Sequence, residues 1–212
     1  GKHAGFVCVA CALLEGGLGL REYVRGYVAA EHPVMREVGA ALQAATGFDL
    51  AEASRGTDGC SIPTYAIPLR RLALAFARFG TGMGLSEGHA RAAQRLRSAV
   101  AASPFMVAGT GRFGTRVMQR LGEGVFCKVG GGGGCCAALP ERGLGVAIKI
   151  ADGNNARAAE VVMAAVIEVL VRLDDGEAVF MRGLSDVGLR NWNGIGVGRL
   201  AVVQGIRQAV AG

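Results

Sequence analysis

Apolar and polar positions follow two different periods along the chain, and the period changes near residue 122. Before that point apolar residues recur every three or four positions, as in Leu72, Phe76 and Phe79, which is typical of amphipathic helices. The pattern predicts helices over about residues 4–14, 31–46, 69–79 and 86–102. Pro33 in the first turn of the second helix and Gly47 at its end support those boundaries.

After residue 122 the pattern is that of short strands. Apolar runs cover residues 125–129, 135–139 and 144–150, and the turns between them are five consecutive glycines and residues 140–143. This predicts an antiparallel meander. Asp152-Gly153-Asn154 then predicts the cap of a long Ala- and Val-rich helix that runs to about Leu173. The expected fold class is α+β, with helices packed on an antiparallel sheet. We expect one domain over residues 1–212, helical to about residue 122 and formed by the sheet and a terminal helix over 123–212.

Composition narrows the class of protein further. The chain has 212 residues, of which 51% are hydrophobic and 19% charged, so a packed core is expected. A net charge of +6 could indicate nucleic acid, but the arginines are dispersed and only 6% of residues are aromatic; we therefore predict no nucleic-acid partner. The longest uncharged apolar stretch is too short to span a bilayer. Six cysteines without a regular pairing pattern indicate a reducing compartment, and we expect a cytoplasmic protein.

Lysine is rare, with three residues (Lys2, Lys128 and Lys149) against twenty arginines. Only lysine readily loses its proton to become a base or a ligand. Strand alternation puts Lys128 on the same face as Phe126. One interpretation is a lysine that snorkels from a sheet edge; the other is a desolvated amine that accepts a proton from a serine hydroxyl. Lys149 is interpreted as structural, paired with a carboxylate.

The cysteines differ in the roles that their surroundings in the sequence suggest. Cys60 follows Asp58 and Gly59 in a turn, which suits a metal ligand or a reactive thiol, although a single loop cysteine is more often incidental. Cys8 and Cys11 lie on an apolar helix and are interpreted as core residues. With three histidines and no His-Glu-x-x-His motif, a histidine-rich zinc site is not expected.

Five motifs in a fixed order carry a resemblance to a known family. They are G-K-H-A-G at 1–5, D-G-C-S-I-P-T-Y at 58–65, G-T-G-R-F at 109–113, F-C-K-V-G at 126–130 and G-L-G-V-A-I-K-I at 143–150, followed by R-N-W-N-G at 190–194. Together they resemble the thermolabile, rhizobial-type, zinc-containing L-asparaginase (asparaginase II) family. The resemblance covers nearly the whole chain. It implies a fold like that of serine β-lactamases and penicillin-binding proteins, and hydrolysis of L-asparagine to aspartate and ammonia.

The resemblance also implies roles for particular residues. Lys2 and Cys60 match ligands of a Zn²⁺ ion. Asp58 matches an active-site carboxylate and Lys128 a catalytic lysine. The substrate-binding positions that follow from the same matches are Arg112, His3 and Ser61. We therefore expect the Lys2 amine and the Cys60 sulfur within reach of one metal ion, and Lys128 facing the same cavity as Asp58 and Cys60.

Two features depart from the family pattern. The family's Ser-x-x-Lys and a second serine would precede Gly1, as would the other zinc cysteine, and the chain starts without Met. We therefore expect an N-terminally truncated chain that is inactive as it stands, with a homodimer as the full-length form. The glycines at 131–134 predict an unusually mobile loop after Lys128. The alternatives are a non-catalytic remnant or interaction domain, and a glutaminase or β-lactam-active relative.

Overall fold

The computed structural model describes residues 1–14 and 19–211, which form two compact units, Gly1–Arg71 and Leu72–Gly212. That residues 1–212 make up a single domain stays a prediction. In the part of the chain that the structure describes, the first unit has three α-helices, a short 3₁₀ helix (Leu50–Glu52) and a β-hairpin whose strands pair antiparallel. These elements are α1 (Lys2–Leu13), α2 (Leu20–Tyr23), α3 (Pro33–Thr46), β1 (Arg55–Thr57) and β2 (Pro63–Tyr65).

The predicted boundaries of α3 are confirmed, and local chemistry explains them. The backbone N–H of Val34 donates to Nδ1 of His32 at 3.1 Å, so a histidine caps the helix. Pro33 occupies the first turn, where its missing N–H leaves no intrahelical bond unmade. Gly47 ends the helix at φ 60°, a left-handed conformation that glycine adopts without a Cβ clash.

The core of the first unit joins α1, α3 and the hairpin. Phe6 and Ala10 of α1 pack with Val34 and Met35 of α3, and Ile62 enters the same cluster from the hairpin. The opposite face of α1 is exposed, and the interpretation of Cys8 and Cys11 as core residues is wrong because both lie on that exposed side. Burial of Ile62 holds the hairpin turn beside the first turn of α1.

The second unit contains the three-stranded sheet and most of the helices. The helices are α4 (Leu69–Thr81, whose first three residues belong to the first unit), α5 (Glu87–Ala102), α6 (Phe105–Ala108), α7 (Phe113–Leu121), α8 (Ala158–Leu170), α9 (Asp175–Ser185) and α10 (Gln204–Ala211). The strands are β3 (Phe126–Val129), β4 (Gly134–Leu139), β5 (Leu144–Lys149), β6 (Asp186–Arg190) and β7 (Gly196–Ala201).

The predicted meander is confirmed: β3, β4 and β5 form one antiparallel sheet in that order, and β6 pairs with β7 in a separate hairpin. The core lies between the sheet, α7, α8 and α9. Helix α8 is apolar on most of its surface, which is typical of a central helix. Met163 and Ile167 of α8 and Met181 of α9 are fully buried there.

Helix α4 crosses β5 at Gly145. A Cβ at this position would overlap the carbonyl oxygen of Ala73 and the amide nitrogen of Ala77, both on α4. Because these are backbone atoms, no side-chain rotation could relieve the overlap. Glycine is therefore what allows this helix to approach the sheet.

The expected helix after residue 152 is shorter than predicted. Asp152 and Asn154 do not cap it; their side chains accept backbone N–H groups two residues ahead, those of Asn154 and Ala156, each at 2.9 Å. Such turns compete with helix formation, so α8 begins at Ala158 and ends at Leu170. The prediction that α8 is the terminal element was also incomplete, because α9, the β6–β7 hairpin and α10 follow it.

The α+β class is confirmed, whereas the likeness to serine β-lactamases stays a prediction. Within the described ranges, no helix is long and apolar enough to cross a membrane. The glycine tract after β3 is tied down by backbone hydrogen bonds, including Gly130 N–H to Gly134 O at 2.8 Å and Ile150 N–H to Gly133 O at 3.0 Å. Lys149 donates to the carbonyl of Gly132, so its expected carboxylate partner was wrong.

Candidate functional site

In the first unit, the residues matched to the metal site meet at the turn between β1 and β2. Cys60 was expected in a turn after Asp58 and Gly59, and residues 58–62 form the turn of the β1–β2 hairpin, whose strands were not predicted. The Asp58 carboxylate accepts the backbone N–H groups of Cys60 at 2.8 Å and Ile62 at 3.2 Å. Ser61 has φ 65°, a left-handed conformation that is uncommon for a residue with a side chain. The carboxylate thus fixes the turn that presents Cys60.

Lys2 reaches this turn from the first turn of α1. Its Nζ donates to Oδ2 of Asp58 at 2.6 Å, and 42% of the Lys2 side chain and 28% of the Asp58 side chain are exposed. The hydrogen bond to Asp58 is the main cause that raises the pKa of Lys2 above its ordinary 10.5, and the Cys60 side chain contributes in the same direction. Lys2 in turn lowers the pKa of Asp58. The structure therefore brings Lys2, Asp58 and Cys60 together.

His3 and Ser61, the two other predicted residues of this unit, point to different surroundings. His3 shares a 2.6 Å hydrogen bond between its Nδ1 and the Tyr27 hydroxyl, and its ring meets Phe6 edge-on. This contact fixes α1 against the segment that follows α2. Ser61 is exposed and lines a polar cavity of about 220 Å³ with Arg55. Their roles in substrate binding stay predictions.

A zinc ion needs about four ligands from nitrogen, sulfur and oxygen. Among residues 1–14 and 19–211, no cluster of three or more His, Cys, Asp and Glu side chains could hold a metal. Lys2 and Cys60 are chemically suitable as one side of a zinc site, with the Asp58 carboxylate beside them. Because Asp58 stabilises the Lys2 ammonium, a metal would have to displace that proton to bind the amine.

In the second unit, a cavity of about 340 Å³ opens between α7, β3 and α8, and two more predicted residues line it. Its polar lining consists of Arg112, Lys128, Asn155 and Glu160. Ligand pockets generally range from about 300 to 1,000 Å³, so this one suits a small molecule. Asp58 and Cys60 belong to the first unit, and a cavity shared by these residues and Lys128 stays a prediction.

Close packing of α7 on β3 brings Arg112 and Lys128 to this cavity. A Cβ on Gly114 would lie 3.6 Å from the Cys127 sulfur and 3.7 Å from the Cys127 carbonyl oxygen, so the start of α7 is in van der Waals contact with β3. The preceding loop is held by the Thr115 hydroxyl, which donates to the Gly109 carbonyl at 2.6 Å. Arg112 is the N-cap residue of α7 and projects from this fixed corner.

Lys128 occupies the face of β3 that strand alternation predicted. The side chain is exposed rather than desolvated, and its Nζ donates to the neighbouring Val129 carbonyl at 2.6 Å. The edge position of β3 in the sheet agrees with the snorkelling interpretation, and the place in the cavity wall agrees with the catalytic one. Cys127, behind it, is buried, and burial raises the pKa of its thiol to about 12; such a thiol is a poor nucleophile.

Asn155 and Glu160 line the cavity, although neither was among the predicted site residues. Glu160 is the acidic one. It lies in the first turn of α8 and is half-buried. Burial raises the pKa of its carboxyl group, while Arg112 and Arg116 oppose that rise. A usable signal was present in the sequence: Glu160 stands at helical spacing with the apolar residues Met163, Ala164 and Ile167, so it occupies a position where the pattern calls for a core residue.

Asn155 completes the polar lining from the segment before α8. Its side-chain oxygen accepts the backbone N–H of Gly133 at 2.6 Å. This bond anchors the glycine tract to the cavity wall and leaves the amide nitrogen of Asn155 as a donor. The arrangement combines two cations, one carboxylate and one amide in a small, open cavity, which suits a small polar ligand carrying both charges.

Comparison with known proteins identifies a family. Residues 1–202 match the model of a protein family described as L-asparaginase II. The match includes all the predicted site residues of both units. No curated protein matches the chain. The resemblance carried by the five motifs is thereby confirmed at the level of the family, whereas zinc binding and thermolability stay predictions.

Proposed function

Because the chain belongs to the L-asparaginase II family, we propose that its 340 Å³ cavity binds L-asparagine for hydrolysis of the side-chain amide to aspartate and ammonia. The observation that carries this proposal is that Arg112 and Lys128, matched separately from two distant motifs, line the same cavity. At the level of the family the chain is an asparaginase-type amidohydrolase with a small-molecule substrate. The residues and steps given below belong to the proposal.

Arg112 is assigned to the α-carboxylate of the substrate. A guanidinium group offers a planar pair of N–H donors that matches the two oxygens of a carboxylate. Arg112 is the N-cap residue of α7, and the bond from the Thr115 hydroxyl to the Gly109 carbonyl holds the loop that carries its backbone. Such fixed positioning contributes to catalysis by holding the reacting groups in place.

Lys128 is assigned to proton transfer. Hydrolysis of an amide requires a nucleophile, a base that takes its proton and a donor for the leaving ammonia. The neutral Lys128 amine would accept the proton of a serine hydroxyl as that oxygen attacks the amide carbon, and would return it to the leaving nitrogen.

The nucleophile is not assigned to any of the 212 residues. Neither Lys128 nor Lys149 has a serine three residues before it, and no Ser-x-x-Lys stands within residues 1–212. Ser61 adjoins Cys60 but lacks that spacing. The proposal therefore assigns the nucleophile to the Ser-x-x-Lys segment that the family resemblance places ahead of Gly1, and expects these residues alone to bind asparagine without hydrolysing it.

Lys2 and Cys60 are proposed as ligands of Zn²⁺. The support is that α1 and the hairpin turn bring both side chains and Asp58 to one place. When bound, zinc would supply positive charge that can polarise a carbonyl group or orient the substrate. Asp58 would hold Lys2 in position through their hydrogen bond and would fix the turn that carries Cys60.

The test measures binding and ammonia release separately. Isothermal titration of the chain with L-asparagine should give a saturable signal that Arg112→Ala and Lys128→Ala weaken. Lys149→Ala, which changes the same residue type outside the cavity, should leave binding unchanged. Ammonia release should be absent; if the coding region continues upstream with a Ser-x-x-Lys, the extended chain should release ammonia, and Lys128→Ala should lower its rate by about 10²–10⁴-fold.

Different outcomes would point to the alternatives. Absence of asparagine binding by the folded chain would contradict the proposal and favour a non-catalytic domain. Preferential binding of L-glutamine would indicate a glutaminase. Ammonia release by the purified 212-residue chain would place the nucleophile within it, and Ser61 would be the first residue to replace.

A further inference from the structure

A single carboxylate faces the cavity from α8. Among the described residues that line this cavity, Glu160 is the only acidic one, and it stands with two cations and an amide. The first turn of α8 carries it, and the helix continues into the core through Met163 and Ile167. Because those residues are fully buried, the position of the carboxylate is set by the packing of the whole helix.

The Glu160 carboxylate has no partner of its own. Within residues 1–14 and 19–211, it makes no hydrogen bond, and no cation lies within the 4.0 Å of an ion pair. Arg116 on α7 instead places its guanidinium 5.6 Å from the centre of the Phe180 ring. Arg112 acts on Glu160 through its charge without an ion pair. Partial burial raises the pKa of the Glu160 carboxyl group, and a cationic ligand group beside the carboxylate would offset that desolvation.

The charges in the cavity match the two ends of a free amino acid. A zwitterionic α-amino acid presents a carboxylate and an ammonium group on the same carbon atom. Arg112 on α7 offers a cation and Glu160 on α8 an anion, and the cavity lies between these two elements. The amide nitrogen of Asn155 supplies a further donor at the same rim.

We propose that Glu160 binds the α-ammonium group of the substrate and thereby makes the cavity selective for free α-amino acids over amides that lack an α-amino group. This inference rests on the proposed function, because it assumes that the cavity is the asparagine site. It adds a substrate-binding residue for which no sequence motif was found. The contact is charge-assisted, since a carboxylate accepts N–H bonds from an ammonium group.

The affinity of the cavity for a ligand with an ammonium group should depend on pH. The groups that act on Glu160 through their charge are Arg112 and Arg116, and Lys128 stands in the same cavity wall. Burial raises the pKa of Glu160 above its ordinary 4.5, so the carboxylate begins to take up a proton at a higher pH than an exposed glutamate. Affinity for the ammonium group should therefore decline as pH falls through that raised pKa, and Glu160→Gln should lack this decline.

The test compares two ligands that differ in one group. L-Asparagine and succinamate share the side-chain amide and the carboxylate, but succinamate lacks the α-ammonium group. The 212-residue chain should bind L-asparagine roughly tenfold to a hundredfold more tightly, the range expected for a partly exposed charge-assisted contact. Glu160→Gln should remove most of this preference and leave the affinity for succinamate unchanged.

A matched control comes from Glu87→Gln, which removes an exposed carboxylate that pairs with Arg91 on α5 and should leave both affinities as they are. Circular dichroism and thermal unfolding would check that each variant folds. If Glu160→Gln unfolds, the wild-type ratio of the two affinities and its decline at low pH still decide the question.

The outcomes separate this inference from the proposed function. If the wild type binds L-asparagine but binds succinamate equally well, or if folded Glu160→Gln keeps the preference, the role of Glu160 is wrong and the asparagine site stands. If both ligands weaken equally in Glu160→Gln, the carboxylate supports the cavity structurally and the inference fails. If the wild type binds neither ligand, both proposals fail together.

Discussion

Gly145→Ala tests the crossing of α4 over the sheet that carries Lys128. The added Cβ would overlap backbone atoms of Ala73 and Ala77. To reach ordinary contact distance, α4 would have to move by roughly 1 Å or more, because neither atom belongs to a side chain that can rotate away. Forcing extra volume into a packed contact generally costs about 1–3 kcal/mol, and a backbone clash should lie near the upper end, at about 3 kcal/mol.

The effect can be measured by urea unfolding. With a urea dependence of about 2 kcal/mol per molar, a loss of about 3 kcal/mol lowers the unfolding midpoint by about 1.5 M. Gly183→Ala provides the matched control, since Gly183 lies inside α9 and a Cβ there meets nothing within 4 Å. The control should stabilise the protein by about 0.5–1 kcal/mol, because alanine favours a helix interior over glycine.

The two variants carry the same substitution and should change the free energy of unfolding in opposite directions. A Gly145→Ala midpoint equal to or above that of Gly183→Ala would mean that α4 does not cross β5 at this glycine. The packing described for the second unit, including the support of the sheet that presents Lys128, would then be wrong.

Two further predictions concern the thiols and the metal. Alkylation at pH 8 followed by mass spectrometry should modify exposed Cys60 but spare Cys127 until the protein is denatured, because a pKa of about 12 leaves roughly one part in ten thousand as thiolate; equal labelling would contradict the burial. Zinc affinity, measured by chelator competition, should rise with pH by about tenfold per unit from the Lys2 proton alone, since Asp58 keeps Lys2 protonated through neutral pH. A pH slope that is unchanged in Lys2→Met would exclude Lys2 as a ligand.

Local sequence signals were sufficient to predict α3 and the antiparallel sheet of β3, β4 and β5. The cap of α3 by His32 and its end at Gly47 depend on residues within the same segment, and so does the pairing of β3, β4 and β5 through short turns. The errors arose where several local interpretations competed. Asp152-Gly153-Asn154 contains good capping residues, but its side chains close tight turns ahead of α8.

Other errors concern position in space. Cys8 and Cys11 stand in an apolar segment, and only the packing of α1 decides that the face with Phe6 is buried and theirs is exposed. Periodicity alone could not decide this, because nearly every position of α1 is small or apolar and the helix has no clear polar face.

The candidate site likewise has features that short sequence segments indicate and features that depend on packing in space. The residue types and the order of the motifs, and hence the family, could be read from the sequence, because Lys2, Cys60, Arg112 and Lys128 lie in short matched segments. Which of these side chains meet depends on long-range packing: Ile62 holds the Asp58 turn against α1, and Phe113 and Val117 of α7 pack with Cys127 of β3 in one core cluster. The helical spacing of Glu160 with Met163 and Ile167 marks it as an unusual position in the sequence, but its place in the cavity depends on long-range packing. Packing buries the neighbouring residues of α8 and leaves the first turn of this helix, with Glu160, in the cavity wall beside Arg112. Such long-range contacts leave no motif in the sequence.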